Sequence, residues 1–281
     1  MAHQHPNVIS PLATFRAPDQ SSGTSTNFDN IAVLPATSVV DFRQYWQHLH
    51  SCSDRGIVER SACLTLARLL SAALHLREHD AEMPRLLPRR IIMTVLDTAE
   101  CYPLLRPAAR ISCGRDNLGT FADDVAELVA VMLQLDVVTC GGDAQRRKSD
   151  TSLKREKPAG AEIAAAISPQ SSYSRCLQRA VRCLHQDGSL WDECVKQSLQ
   201  LLEFTLWGPS EDEARMIAVS DSRTTALEVW LSVTRCRLLA ELAVVEAAAV
   251  SQNGLELAER AMFLSSATEN GLLEVTKLFQ N

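Results

Sequence analysis

VERSACLTLARLLSAALHLREH, residues 58–79, is the stretch on which the fold reading turns. Val58, Ala62, Leu66, Leu69, Ala73 and Leu76 recur three or four apart and lay one apolar stripe along a helix. The stretch holds no glycine and no proline to interrupt it. Working outward, Leu118, Phe121, Val125, Leu128, Met132 and Leu135 step in the same way. A fully buried large apolar side chain stabilises by roughly 1.5–3 kcal/mol, so such faces demand partners.

Composition agrees with helices. The chain has 281 residues, 46% of them apolar and only 5% aromatic. Leu and Ala favour helices, whereas strands favour aromatic and β-branched residues. Ser38 with Asp41 predicts a capped helix over VVDFRQYWQHLHS, residues 39–51. A second helix is predicted from about Arg55 to His79, and Pro88 suits the first turn of a third, over 88–101. YPLLRPAARISCG, at 102–114, holds at most a short helix, and CGG at 140–142 stops the helix that begins near Asn117.

In the second half, helices are predicted at 172–186, 190–206, 211–220, 223–251 and 255–279. Asp187-Gly188, Asn253-Gly254 and WGP at 207–209 punctuate them, and SEDE at 210–213 reads as a capping box. No segment alternates with period two for long enough to predict a strand. The expected fold class is therefore all-α: a two-lobed helical bundle or an irregular HEAT/ARM-like α-solenoid. The expected organisation is a disordered segment over 1–37, a helical lobe over 38–140, a basic linker over 141–159 and a second lobe over 160–281. Helix starts are too uneven for a regular repeat, and the sequence resembles no family by its motifs.

A net charge of −6 excludes a globally basic nucleic-acid binder. Nine cysteines, an odd number without CxxC pairs, read as reduced and mostly buried thiols. The N-terminus lacks the apolar run of a secretory signal, and no stretch approaches the ~18–20 apolar residues of a membrane span. The expected location is cytoplasmic or nuclear.

HLREH, residues 75–79, fits H-x-x-E-H. His75 and His79 would share a helix face as zinc ligands, with Glu78 as general base and Glu156 as a formal third ligand. The ordinary alternative is a polar last turn, where the helix dipole favours histidine. His48, His50 and Cys52 point in different directions on a helix. Cys183, His185 and Cys194 could meet at a helix turn, although their spacing is looser than that of zinc modules. Trp46, Trp191, Trp207 and Trp230 read as core anchors, with an interface role as the alternative. There is no G-x-S-x-G and no G-x-x-x-x-G-K-[ST], so no cofactor is expected.

RRKSDTSLKREK, residues 146–157, is the densest charge run. Arg146, Arg147, Lys148, Lys154, Arg155 and Lys157 could localise the protein or bind an acidic partner or a nucleic-acid backbone. Arg146-Arg147 upstream of Ser149 suits a basophilic kinase, and phosphate there would remove about 1.5–2 units of positive charge. The function expected from these readings is a non-catalytic helical scaffold or adaptor for protein partners, regulated through this loop. The alternatives are a helical regulatory region of a transcription-related nuclear protein and a zinc-dependent hydrolase using His75, Glu78 and His79.

Overall fold

Among the described residues before 42, three strands stand where a loose segment and then a helix are expected. β1 (Ala13–Pro18) pairs antiparallel with β2 (Phe28–Val33). β3 (Ser38–Asp41) pairs antiparallel with β4 (Ile91–Val95), and β4 pairs in turn with β5 (Cys101–Leu105). The computed structural model describes residues 5–8, 13–18, 28–33, 38–79, 85–95, 101–105, 118–135, 160–186, 190–220, 222–248 and 254–266.

The chain is thus not all-α, and the reason lies in its short apolar runs. Val39-Val40 and Ile91-Ile92-Met93-Thr94-Val95 are rich in β-branched residues, which suit a pleated and half-buried surface. A continuous run of four or five such residues shows no alternation, so periodicity alone cannot separate it from buried helix. The helix expected over 88–101 is instead one 3-10 turn at Pro88–Arg90 followed by β4. The helix expected from Val39 begins three residues later, as α1 (Phe42–Cys52). Its cap is Asp41 and not Ser38: the carboxylate accepts from the N–H of Arg43 at 2.9 Å and of Gln44 at 3.3 Å.

α2 (Arg55–His79) has the expected bounds. Val58, Ala62, Leu66, Leu69 and Ala73 of its stripe are all buried. α3 (Leu118–Met132) buries Phe121, Val125, Leu128 and Met132. α4 (Gly160–Ala166) was not anticipated; it leads into α5 (Ser172–Leu184) and α6 (Trp191–Trp207). α7 (Glu211–Val219), α8 (Arg223–Ala248) and α9 (Gly254–Ser266) complete the order. The SEDE box is present: Ser210 Oγ accepts from the Glu213 N–H at 3.3 Å, and the Ser210 N–H donates to Glu213 Oε2 at 2.8 Å.

One apolar cluster runs from Phe42 to Leu202 and draws on α1 to α6 with β4 and β5. α2 is its axis, packed by α1, α3, α5, α6 and β5. This contradicts the helical-repeat reading, because a solenoid unit touches only its neighbours in sequence. A second cluster, with Phe204, Trp207, Ile217, Leu227, Leu231 and Phe263 among its members, seats α7, α8 and α9 on the end of α6. Trp46, Trp191 and Trp207 are core residues, and Trp230 packs partly buried on the second cluster. No described helix is long and apolar enough to cross a membrane.

Candidate protein-docking site

α8 carries apolar residues on two faces but is packed on one. Leu227, Leu231 and Leu238 point into the second cluster. Val229 and Val233 lie on the opposite side and are 58% and 44% exposed. Among the exposed polar residues of its outer side, Val229 and Val233 leave apolar surface open to solvent. α7 lies alongside and adds Met216, 69% exposed. Between the two helices runs a groove of about 660 Å³, floored by Ile217, Ala226 and Trp230.

Glu213 and Arg237 give the groove its polar points. The Glu213 carboxyl is held below the usual carboxylate range, chiefly because the Ser210 N–H donates to it, with burial opposing. The Trp230 indole N–H and the Arg237 charge act in the same sense as Ser210. The groove therefore presents an apolar floor with one fixed anion and one cation beside it. Such a combination has the chemistry of a surface for a protein partner's side chains, where apolar anchors supply affinity and charges set orientation. Its hydroxyls are those of Ser220, Ser222, Thr225 and Thr234, and the groove lining contains no histidine or cysteine.

The residues singled out in the sequence fare differently. The basic run, with Arg146, Arg147, Lys148, Ser149, Lys154, Arg155 and Lys157, lies outside the described residues, as does Glu156. His75 faces the His5 ring at 5.1 Å, and Glu78 is exposed; of His79 only its place on α2 is described. Among the described residues no three His, Cys, Asp or Glu side chains stand together as a metal site. His50 Nε2 hydrogen-bonds the Met132 carbonyl at 2.8 Å, while His48 is exposed. Cys183 donates to Gln197 Oε1 at 3.1 Å, and His185 Nδ1 donates to the Val181 carbonyl at 2.8 Å.

Sequence reasoning missed the buried ion pairs. Arg68 interrupts the apolar run of α2 between Ala67 and Leu69; it donates to both carboxylate oxygens of Glu259 at 2.8 Å, and its guanidinium sits 4.8 Å over the Tyr102 ring. Arg85 grips Asp124 in the same two-pronged way. The available signal was a charge embedded in an apolar run, since charged side chains are almost never fully buried unless paired.

No protein-family model matches the chain. Over 117 residues it is 29% identical to the human inactive tyrosine-protein kinase PEAK1, a match covering 40% of this chain and 7% of that protein. The chain thus spans a small part of the length of that curated relative. Among solved structures it is similar to the crystal structure of the pseudokinase PEAK1 (Sugen kinase 269), with a TM-score of 0.67 and 18% identity over 98% of this chain and 76% of that one. The fold is therefore kinase-like, which replaces the bundle-or-solenoid expectation: two small sheets, of two and three strands among the described residues, accompany a helical body built around α2.

Proposed function

We propose that the chain is a non-catalytic, kinase-like scaffold that binds protein partners, with the α7–α8 groove as a docking surface. The observation that carries this reading is a kinase-like fold in a sequence without the phosphotransfer signature. Protein kinases cover the phosphates with G-x-G-x-x-G, take the substrate proton on the Asp of H-R-D, and hold Mg²⁺ on the Asp of D-F-G. None of these strings, nor A-P-E, occurs in the 281 residues. The PEAK1 relative is itself named inactive. A body that keeps the fold without those groups retains surfaces, and among the described residues an exposed apolar one lies between α7 and α8.

The basic run at 146–157 is proposed as the regulatory element of the same scaffold. Its charge would strengthen encounter with acidic partners, and phosphate on Ser149 would weaken it. The two basic clusters would also direct a share of the protein to the nucleus. Neither the transcription-related reading nor the zinc-hydrolase reading draws support from the PEAK1 likeness, and neither is carried further.

The test has two arms. Purified chain with Mg-ATP and a generic phosphoacceptor should transfer no phosphate; transfer above a no-protein blank would overturn the non-catalytic reading. Wild-type chain, a Val229→Asp/Val233→Asp variant and a chain lacking residues 143–158 would then be used to capture partners at low and moderate salt. Loss of a partner in the groove variant supports the docking surface, and loss with the loop or with salt supports the regulatory element. A partner kept by all three places the binding surface elsewhere.

A further inference from the structure

We propose that the outer edge of β5 is a peptide-binding site that reads an asparagine, and that His5–Val8 of the chain fill it as a tethered self-ligand. The sheet order is β3, β4, β5, so β5 is an edge strand. Tyr102 and Leu104 stand opposite Thr94 and Ile92 of β4. Pro103 and Leu105 turn their polar groups the other way. The Pro103 carbonyl accepts from Asn7 Nδ2 at 3.0 Å, and the Leu105 N–H donates to the Asn7 carbonyl at 2.8 Å. Proline has no N–H, so from Pro103 to Leu105 the edge presents an acceptor and then a donor in place of a regular ladder. Asn7 answers both, its side chain as donor and its backbone as acceptor, and it is only 2% exposed. An ionised aspartate only accepts, and would set its charge against the Pro103 carbonyl. Farther along β5, the Cys101 carbonyl is already met by Arg68 at 3.5 Å.

The rest of the segment presents that asparagine. The Val8 N–H donates to the His5 carbonyl at 3.1 Å and closes a turn with Pro6 at its second position, where the fixed φ of proline fits. His5 Nδ1 accepts from the Asn7 N–H at 3.1 Å, and its Nε2 lies 3.2 Å from Ser71 Oγ on α2. Val8 bridges Leu105 in parallel and packs on the main apolar cluster. Pro6 is exposed. His5, Asn7 and Val8 therefore touch the body, and of the three Asn7 alone is fully buried.

Asn7 and Pro103 are 96 residues apart, and His5–Val8 belong to no helix or multi-residue strand. Lifting the segment leaves the Pro103 carbonyl and the Leu105 N–H unpaired on a strand edge, which is the template for strand addition. The occupant that fits is a peptide of a partner protein carrying asparagine followed by an apolar residue. Backbone bonding to Leu105 would supply affinity, and the buried carboxamide would supply specificity. A proline ahead of the asparagine sets the turn in advance and lowers the ordering cost. The chain's own segment, being tethered, competes at a high effective concentration and closes the site to weak ligands. The site is built from β5 and α2 and shares no residue with the α7–α8 groove, so it does not depend on that groove.

The test is fluorescence anisotropy of a labelled peptide of residues 3–10, HQHPNVIS, with the full wild-type chain and with full-length Asn7→Ala. Asn7→Ala weakens the tethered competitor, so that variant should bind the peptide at least about tenfold more tightly than wild type. The Asn7→Asp peptide should lose at least about tenfold in affinity for the same variant. No binding to Asn7→Ala, equal binding by the two proteins, or equal affinity of the two peptides overturns the site. A wild-type dimer that Asn7→Ala abolishes gives the edge to a second copy and overturns the partner-peptide assignment. If Asn7→Ala fails to fold, amide exchange of the wild-type chain by NMR decides. The Leu105 N–H faces the segment, whereas the Leu104 N–H faces β4. Local lifting should make the Leu105 amide exchange at least about tenfold faster than that of Leu104, corrected for intrinsic rates. Equal protection means that the segment leaves only when the sheet unfolds, and the proposal then falls.

Discussion

Arg85 donates through Nε to Asp124 Oδ2 at 2.6 Å and through its terminal nitrogen to Oδ1 at 2.9 Å, and Asp124 is wholly buried. The pair ties the segment that precedes β4 to the middle of α3. Breaking a buried pair costs more than the pair contributes, because the partner left behind is an uncompensated charge. The Arg85 side chain is 39% exposed, so Arg85→Met should destabilise the chain by less than a fully buried pair would, about 1–3 kcal/mol at neutral pH, read as a lower urea midpoint. Arg85→Met combined with Asp124→Leu should recover much of that loss. A double variant as unstable as the single one would show that Asp124 is not the residue harmed.

Gly160 gives a second prediction, from space. A Cβ added at Gly160 would overlap the His185 imidazole. The ring cannot swing away cheaply: Nδ1 is tied to the Val181 carbonyl at 2.8 Å, and Nε2 lies 3.5 Å from Asp123. Gly160→Ala should destabilise by about 1–3 kcal/mol, as overpacking does. Helix propensity acts the other way, since Ala is favoured over Gly in a helix by about 1 kcal/mol. In a His185→Ala background the same substitution should thus become stabilising. A double-mutant cycle on thermal midpoints checks the reversal of sign.

These residues also show what the sequence could and could not reveal. The stripes of α2 and α3 are local, so three-and-four spacing located both helices. Capping chemistry is local as well, which is why Ser210 with Glu213 could be read directly. β4 could not be read that way. Its residues form an unbroken apolar run, and what makes it a strand is pairing with Ser38–Asp41 on one side and Cys101–Leu105 on the other. The Arg68–Glu259 pair spans 191 residues of sequence, and no spacing rule relates its partners. The docking groove was half legible: an α8 with apolar residues on both faces is visible in the sequence, but which face stays open depends on where α6 and α9 pack. The conspicuous charges at 146–157 showed a basic patch and gave no position for it.

His5 carries a prediction about acid. Its pKa is lowered to about 4, first by burial and then by the charge of His75. Its Nδ1 accepts from the Asn7 N–H at 3.1 Å, a bond that requires the unprotonated nitrogen. The Asn7 side chain in turn donates to the Pro103 carbonyl at 3.0 Å, so the histidine helps fasten the N-terminal segment to β5. A depressed histidine pKa means the unfolded chain takes up the proton first. Stability should be full above about 6.5 and should fall as pH drops from there toward about 4. His5→Asn should show a shallower decline of thermal midpoint over that interval. Equal slopes in the two proteins would remove His5 from the acid response.

The groove makes the sharpest contrast, because it separates surface from core on one helix. Val229 is 58% exposed, whereas Leu231, two residues on, is 5% exposed and packs in the second cluster. Leu231→Ala should cost about 2–5 kcal/mol, as a cavity in a packed core does. Val229→Asp should leave stability within about 0.5 kcal/mol of wild type, as exposed substitutions away from special contacts do. If α8 offers its outer face to a partner, Val229→Asp should weaken capture of that partner while the circular dichroism spectrum and urea midpoint stay unchanged. Val233→Asp, one turn along the same face, should act in the same direction. Large destabilisation by Val229→Asp in the isolated chain would mean that the outer face of α8 is already covered by the chain itself, and the docking assignment would then fall.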